Sequence, residues 1–140
     1  GKLSAIWQYL AKQMQTKTLR GVVIEVSYAN QQPDNLLFGH LTPKWLMSEL
    51  THFHALLDNK KAFKDMQIVI SHMKYSLKNT VDPKVKIKQQ LEQLNKLGFN
   101  FINKTWLLFK VSCLFKQILT IKIKIGDWTG FNGNFFYGSM

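Results

Sequence analysis

Two stretches decide the fold: residues 20–27, RGVVIEVS, and residues 66–71, MQIVIS. Each is a short run dense in β-branched residues, and each is bounded by polar or turn-forming segments, so each reads as a strand. Val22, Val23, Ile24 and Val26 leave no clean polar face, which predicts a strand buried on both sides. Between the two runs lies a helical pattern. Thr42-Pro43 reads as a helix start, with a hydroxyl N-cap followed by proline at the first helical position. Leu46, Leu50, Phe53 and Leu57 follow on one face.

Working outward, Leu3, Ile6, Leu10 and Met14 recur at three- and four-residue steps and predict an amphipathic helix over residues 3–17. A polar, proline-containing loop occupies Asn30–Asp34, and Lys60–Lys64 is a solvated connector. Asp82-Pro83 starts a third helix with Ile87, Leu91 and Leu94 inward. Gly98 ends that helix, and a short third strand follows over Phe99–Ile102. Residues 1–102 thus alternate helix and strand, the pattern of an α/β layer structure with a largely parallel sheet. Residues 103–140 read differently: a basic, hydrophobic tail without a helical cap, in which TIKIKI (120–125) alternates like an exposed strand and GDWTGFNGN (126–134) is turn chemistry.

The chain has 140 residues, 46% of them hydrophobic, enough to build a core, and a formal charge of +11. That charge points to an anionic partner. The basic residues, however, are 18 Lys and only Arg20. Readers of nucleic acid lean on arginine for bidentate contacts, so nucleic acid is the less favoured partner. The single Cys113 excludes an internal disulfide framework and a cysteine-rich zinc site, and makes a reducing, cytoplasmic setting the default. No signal peptide is expected. The apolar stretch Trp106–Ile125 is interrupted by four lysines, which argues against a membrane span. No feature speaks to the oligomeric state.

In parallel α/β sheets, functional residues gather just past the C-terminal ends of strands. Three residues fit that rule. His72 follows the strand 66–71 directly, His40 lies in a loop after Gly39, and Glu25 is an acid in an otherwise apolar strand, where a carboxylate needs a cationic or hydrogen-bonding partner. His52 and His54 form an H-x-H. Inside a helix, though, positions two apart face different sides, so they read as a surface pair flanking a buried Phe53. Ser27, Ser71 and Ser76 lack the setting of a nucleophile. Gly130 and Gly133 are a glycine pair without a following helix, and no phosphate-binding glycine loop occurs.

Four blocks, GVVIEVSY (21–28), LFGHLTP (37–43), VISHMKYSL (69–77) and QLNKLGFNF (93–101), resemble the class II cyclic-nucleotide phosphodiesterases in order and spacing. The similarity covers roughly residues 3–102. It implies a metallo-β-lactamase-like αββα sandwich binding two metals, usually zinc, that hydrolyses 3′,5′-cyclic nucleotides such as cyclic AMP to the 5′-monophosphate. In that resemblance His72 stands where the last metal-binding histidine does. His40 stands at the histidine of the G-H-L-T-P block, which in the related transfer-RNA-processing nucleases assists at the phosphate. Glu25 matches the acid that holds it, and Lys74 is a candidate phosphate contact. The family's main H-x-H-x-D-H metal motif and a bridging aspartate are absent from this sequence, so the chain is expected to correspond to the C-terminal half of such a domain (residues 1–102) with a divergent tail (103–140), and to be inactive alone. Two other readings stay open: an RNA-processing nuclease of the same superfamily, and a non-catalytic truncated product or basic binding module.

Overall fold

The computed structural model describes residues 3–16, 21–61, 63–64, 66–74, 81–103 and 122–123. Helix α1 (Ser4–Thr16) leads into strand β1 (Gly21–Glu25). A 3₁₀ turn (Asp34–Leu36) and helix α2 (Pro43–Ala55) follow, then strand β2 (Gln67–Ser71), helix α3 (Pro83–Leu94) and strands β3 (Asn100–Asn103) and β4 (Lys122–Ile123). The strands form one sheet in the order β3-β2-β1-β4, and every neighbouring pair is parallel. The alternation expected from the sequence is therefore the observed order. The short β4 falls within the TIKIKI segment, while the other tail readings, including Cys113, Gly130, Gly133 and the Trp106–Ile125 stretch, lie outside the described residues, as does Ser76. Among the described residues no helix is long and apolar enough to cross a membrane.

Both crossovers, β1-α2-β2 and β2-α3-β3, step the same way along the sheet. Right-handed crossovers then place α2 and α3 on one face. Helix α2 packs against both α3 and α1 on that side. The core sits between this helical layer and the sheet row of Val22, Ile24, Ile68 and Ile70, all at 1% exposure or less. Val23, Val69 and Ile102 are in register with one another and, by strand alternation, line the opposite face, where Val23 and Ile102 are only half-buried. Burial of β1 is thus complete on one side and partial on the other.

Helix ends depart from the sequence reading in three places, each for a local reason. Thr42 is the N-cap residue of α2, but its hydroxyl makes no capping bond. Asn30, from the preceding loop, does this instead, its Oδ1 accepting from the Lys44 N–H at 2.8 Å. Helix α3 ends at Leu94 rather than at Gly98. Asn95 stops it by pinning Phe99, accepting from its N–H at 2.7 Å and donating to its carbonyl at 2.8 Å. Gly98 serves the turn that follows, at φ +73. Leu94, expected inward, is 37% exposed because the stripe of Ile87 and Leu91 runs out with the last helical turn. Asp82 caps α3 as expected, accepting from the Lys84 N–H at 2.9 Å. Asn30→Ala and Asp82→Ala are each expected to cost about 1 kcal/mol in urea denaturation, the usual worth of a side-chain N-cap.

Candidate functional site

Glu25 is the last residue of β1, and His72 is the first residue after β2, its neighbour. The chain beyond β1 stays extended and is clamped on both sides. The Val26 N–H donates to the Ser71 carbonyl (3.2 Å) and the Ser27 N–H to the Leu41 carbonyl (3.1 Å). The Ser27 carbonyl accepts from the Lys74 N–H (3.1 Å). These bonds draw the loops at residues 37–42 and 72–74 together over the C-terminal end of the sheet, where helix-flanked parallel strands open their crevice.

His40 reaches this place through a tight turn. Its N–H donates to the Leu37 carbonyl at 2.9 Å, and the two central residues, Phe38 and Gly39, have φ of 49 and 80. Two positive φ angles in succession are those of a type I′ turn. The His40 ring is then held on every side. Nδ1 donates to Oε1 of Glu25. Nε2 lies 3.0 Å from the Lys74 ammonium. The Tyr28 ring meets it edge-on at 5.7 Å, and the His72 ring stacks on it at 5.8 Å with 22° between planes.

These partners assign the tautomer. An ionised carboxylate only accepts, so Nδ1 carries the proton. An ammonium only donates, so Nε2 presents its lone pair to Lys74. The row of charges is carboxylate, neutral imidazole, ammonium. Glu25, 7% exposed, is a buried acid with its hydrogen-bonding needs met, since Ser27 Oγ also donates to Oε1 at 2.6 Å. The same hydroxyl lies 2.9 Å from the His72 carbonyl, so one buried serine touches both halves of the site.

Donor atoms of Glu25, His40 and His72 lie within 4.8 Å of one another. They do not form one metal site as they stand. The Glu25 oxygen is committed to His40 and Ser27, and the Lys74 ammonium at His40 Nε2 would repel a cation there. His72 is different: its ring is exposed, and no described residue hydrogen-bonds it. A neutral imidazole with a free nitrogen suits zinc, and it supplies one of the four ligands that zinc usually takes.

All four residues singled out in the sequence, Glu25, His40, His72 and Lys74, therefore meet at one place. Lys74 is no solvated loop lysine: it is half-buried and donates to the Tyr28 hydroxyl at 2.9 Å. His52 and His54 stand apart. His52 is exposed and His54 packs edge-on against Phe63 at 5.4 Å. Ser27 and Tyr28 were not picked out. Ser27 carries the visible signal, since it lies two residues beyond Glu25 in an extended run and so on the same side. The open groove between α2 and the end of α3, lined by Met47, Leu94 and Leu97 among others, shares no residue with this site.

Residues 2–104 match the family described as cAMP phosphodiesterases class-II. The chain is 51% identical over 96 residues to a 3′,5′-cyclic-nucleotide phosphodiesterase of Aliivibrio fischeri, covering 69% of this chain and 29% of that protein. It is 39% identical over 100 residues to a probable 3′,5′-cyclic-nucleotide phosphodiesterase of Yersinia pestis, covering 71% and 29%. The crystal structure of unliganded yeast PDE1 superposes with a TM-score of 0.62 at 26% identity, over 72% of this chain and 29% of that one. The chain thus spans about three-tenths of the length of these relatives.

Proposed function

The chain belongs to the class-II cAMP phosphodiesterase family, and from that premise we propose that its site takes part in hydrolysing a 3′,5′-cyclic nucleotide, cyclic AMP in the first instance, to the 5′-monophosphate. One observation carries the proposal: an imidazole whose Nδ1 is locked by a buried carboxylate and whose Nε2 faces an ammonium, beside an exposed histidine. That arrangement suits a phosphodiester anion. Lys74 would turn its N–H from Nε2 to a non-bridging phosphate oxygen, with Tyr28 keeping the ammonium in place. Nε2, released, can then hold a proton, and Glu25 stabilises the imidazolium so formed. As water adds to phosphorus, releasing one proton to solvent, and the P–O3′ bond breaks, the Nε2 proton passes to the departing 3′-oxygen. His72 would hold zinc as one ligand among several, the rest coming from outside the described residues; bound there, zinc eases deprotonation of water and screens phosphate charge.

The half-buried apolar row of Val23 and Ile102, with Val69, supports a second layer on the sheet face away from the helices, as an αββα sandwich of metallo-β-lactamase type requires. Because the chain spans about three-tenths of its relatives, it is expected to show little or no turnover by itself. The test is a chimera in which residues 2–104 replace the matching segment of the Aliivibrio fischeri relative, assayed with zinc for release of 5′-AMP. Turnover of cyclic AMP by the chimera and none by the chain alone is the expected pair of results. Cleavage of RNA 3′ extensions without cyclic AMP hydrolysis would overturn the proposal in favour of a nuclease.

A further inference from the structure

Among the described residues, two that are not glycine hold a positive φ: His72 (54) and Phe38 (49). Both belong to this one site. His72 stacks on His40, and Phe38 lies two residues before it in the turn that delivers it. The left-handed region is costly for a bulky side chain, and at the first central position of a type I′ turn asparagine, aspartate or glycine is the ordinary choice. Phe38 is also 75% exposed, the most exposed of the large apolar side chains described. A phenylalanine that is both strained and solvent-facing contributes little to the core, so its use lies with something that meets it from outside.

We infer that Phe38 is a stacking platform for the nucleobase of the substrate, and so a specificity-determining residue. This rests on the phosphodiesterase reading and deepens it. Lys74 and His40 Nε2 mark where the phosphate sits. A cyclic nucleotide is compact and rigid, so its base must lie close to that point. The turn keeps the Phe38 backbone within two residues of His40, beside the phosphate position, and its side chain is open to solvent there. An aromatic face binds any base by stacking, which selects nucleotides over plain phosphodiesters without reading base identity.

The experiment is an NMR titration of the full chain, labelled at Phe and His, with cyclic AMP and in parallel with inorganic phosphate. Cyclic AMP is expected to shift the Phe38 and His40 ring signals together, and phosphate to shift those of His40 alone. Phe38→Ala should weaken cyclic AMP roughly five- to a hundredfold and leave phosphate affinity unchanged, and Phe38→Trp should restore binding. Phe38→Gly separates ligand binding from structure: it should raise the melting temperature, by relieving the left-handed strain, while still weakening cyclic AMP. If both ligands shift His40 while Phe38 stays silent, the platform is wrong and the site reading survives. If neither ligand reaches His40 in the chain and in the chimera alike, both fall. If Phe38→Gly lowers the melting temperature and loses both ligands alike, Phe38 is a structural prop for the turn and the inference is overturned.

Discussion

Replacing His40 by alanine in the chimera is expected to lower kcat for cyclic AMP by about 10²–10⁴-fold, the usual worth of a positioned proton donor, with a much smaller change in KM. The reason lies in how many groups depend on this ring. Without it, the Glu25 carboxylate keeps the Ser27 hydroxyl but loses its imidazole, and the Lys74 ammonium loses an acceptor 3.0 Å away. A buried pair with one member removed is destabilising as well, so His40→Gln belongs beside the alanine variant. The amide can still donate toward Glu25, yet it has no nitrogen able to carry a proton to the leaving oxygen. Equal loss of kcat in the two variants, with His40→Gln folding normally, assigns the loss to proton transfer. Near-normal kcat in His40→Gln would overturn the assignment. Glu25→Gln should cost less than either, because its oxygen can still accept from Nδ1 and only the charge that stabilises the imidazolium is gone. The measurement is steady-state release of 5′-AMP by each variant.

The fold was legible because its signals were local. Two β-branched runs and two Pro-initiated helices, at Pro43 and Pro83, punctuate residues 21–94 so clearly that element order and parallel pairing follow. Glu25 was legible for a related reason: an acid in a strand of valines and isoleucines asks for a partner. What stayed hidden was non-local. Nothing in the order of residues says that Asn30 caps α2 from a loop, or that Asn95 rather than Gly98 stops α3, because those depend on a side chain meeting a backbone group in space. The same holds for Ser27 and Tyr28. Serine was weighed only as a nucleophile and set aside; the work of Ser27 as a buried brace, bonded to Glu25 and reaching the His72 carbonyl, shows only once β1 and the His72 loop are side by side. Lys74 was the faintest signal, since loop lysines are usually solvated, and its ammonium takes a fixed place through the Tyr28 hydroxyl and the His40 ring, which meet it only in the fold.

Phe53→Ala should be the most damaging single change to the fold, costing about 3–5 kcal/mol. A domain of this size has roughly 5–15 kcal/mol in all, so the variant should lose a large part of its stability, and its urea midpoint should fall accordingly. Phe53 is fully buried and stands in the middle of a chain of rings. It stacks with Trp7 of α1 at 5.0 Å and meets Phe63, before β2, at 5.7 Å; Phe63 in turn meets Phe99, before β3, at 4.5 Å. One ring on α2 thus ties the first helix to the approaches of two strands. Truncation leaves a void between elements that are far apart in sequence, and these cannot close on it without moving the helical layer off the sheet. Trp7 adds a polar constraint, since its Nε1–H donates to Glu49 at 2.7 Å and resists such a shift. Phe53→Leu keeps the site apolar and most of its volume, and should cost clearly less. None of these rings touches Glu25, His40 or Lys74, so while Phe53→Leu remains folded, the His40 Nδ1–H signal in NMR should stay where it is in the parent chain. A midpoint for Phe53→Ala within experimental error of the parent would show that the ring chain is not what joins the layers.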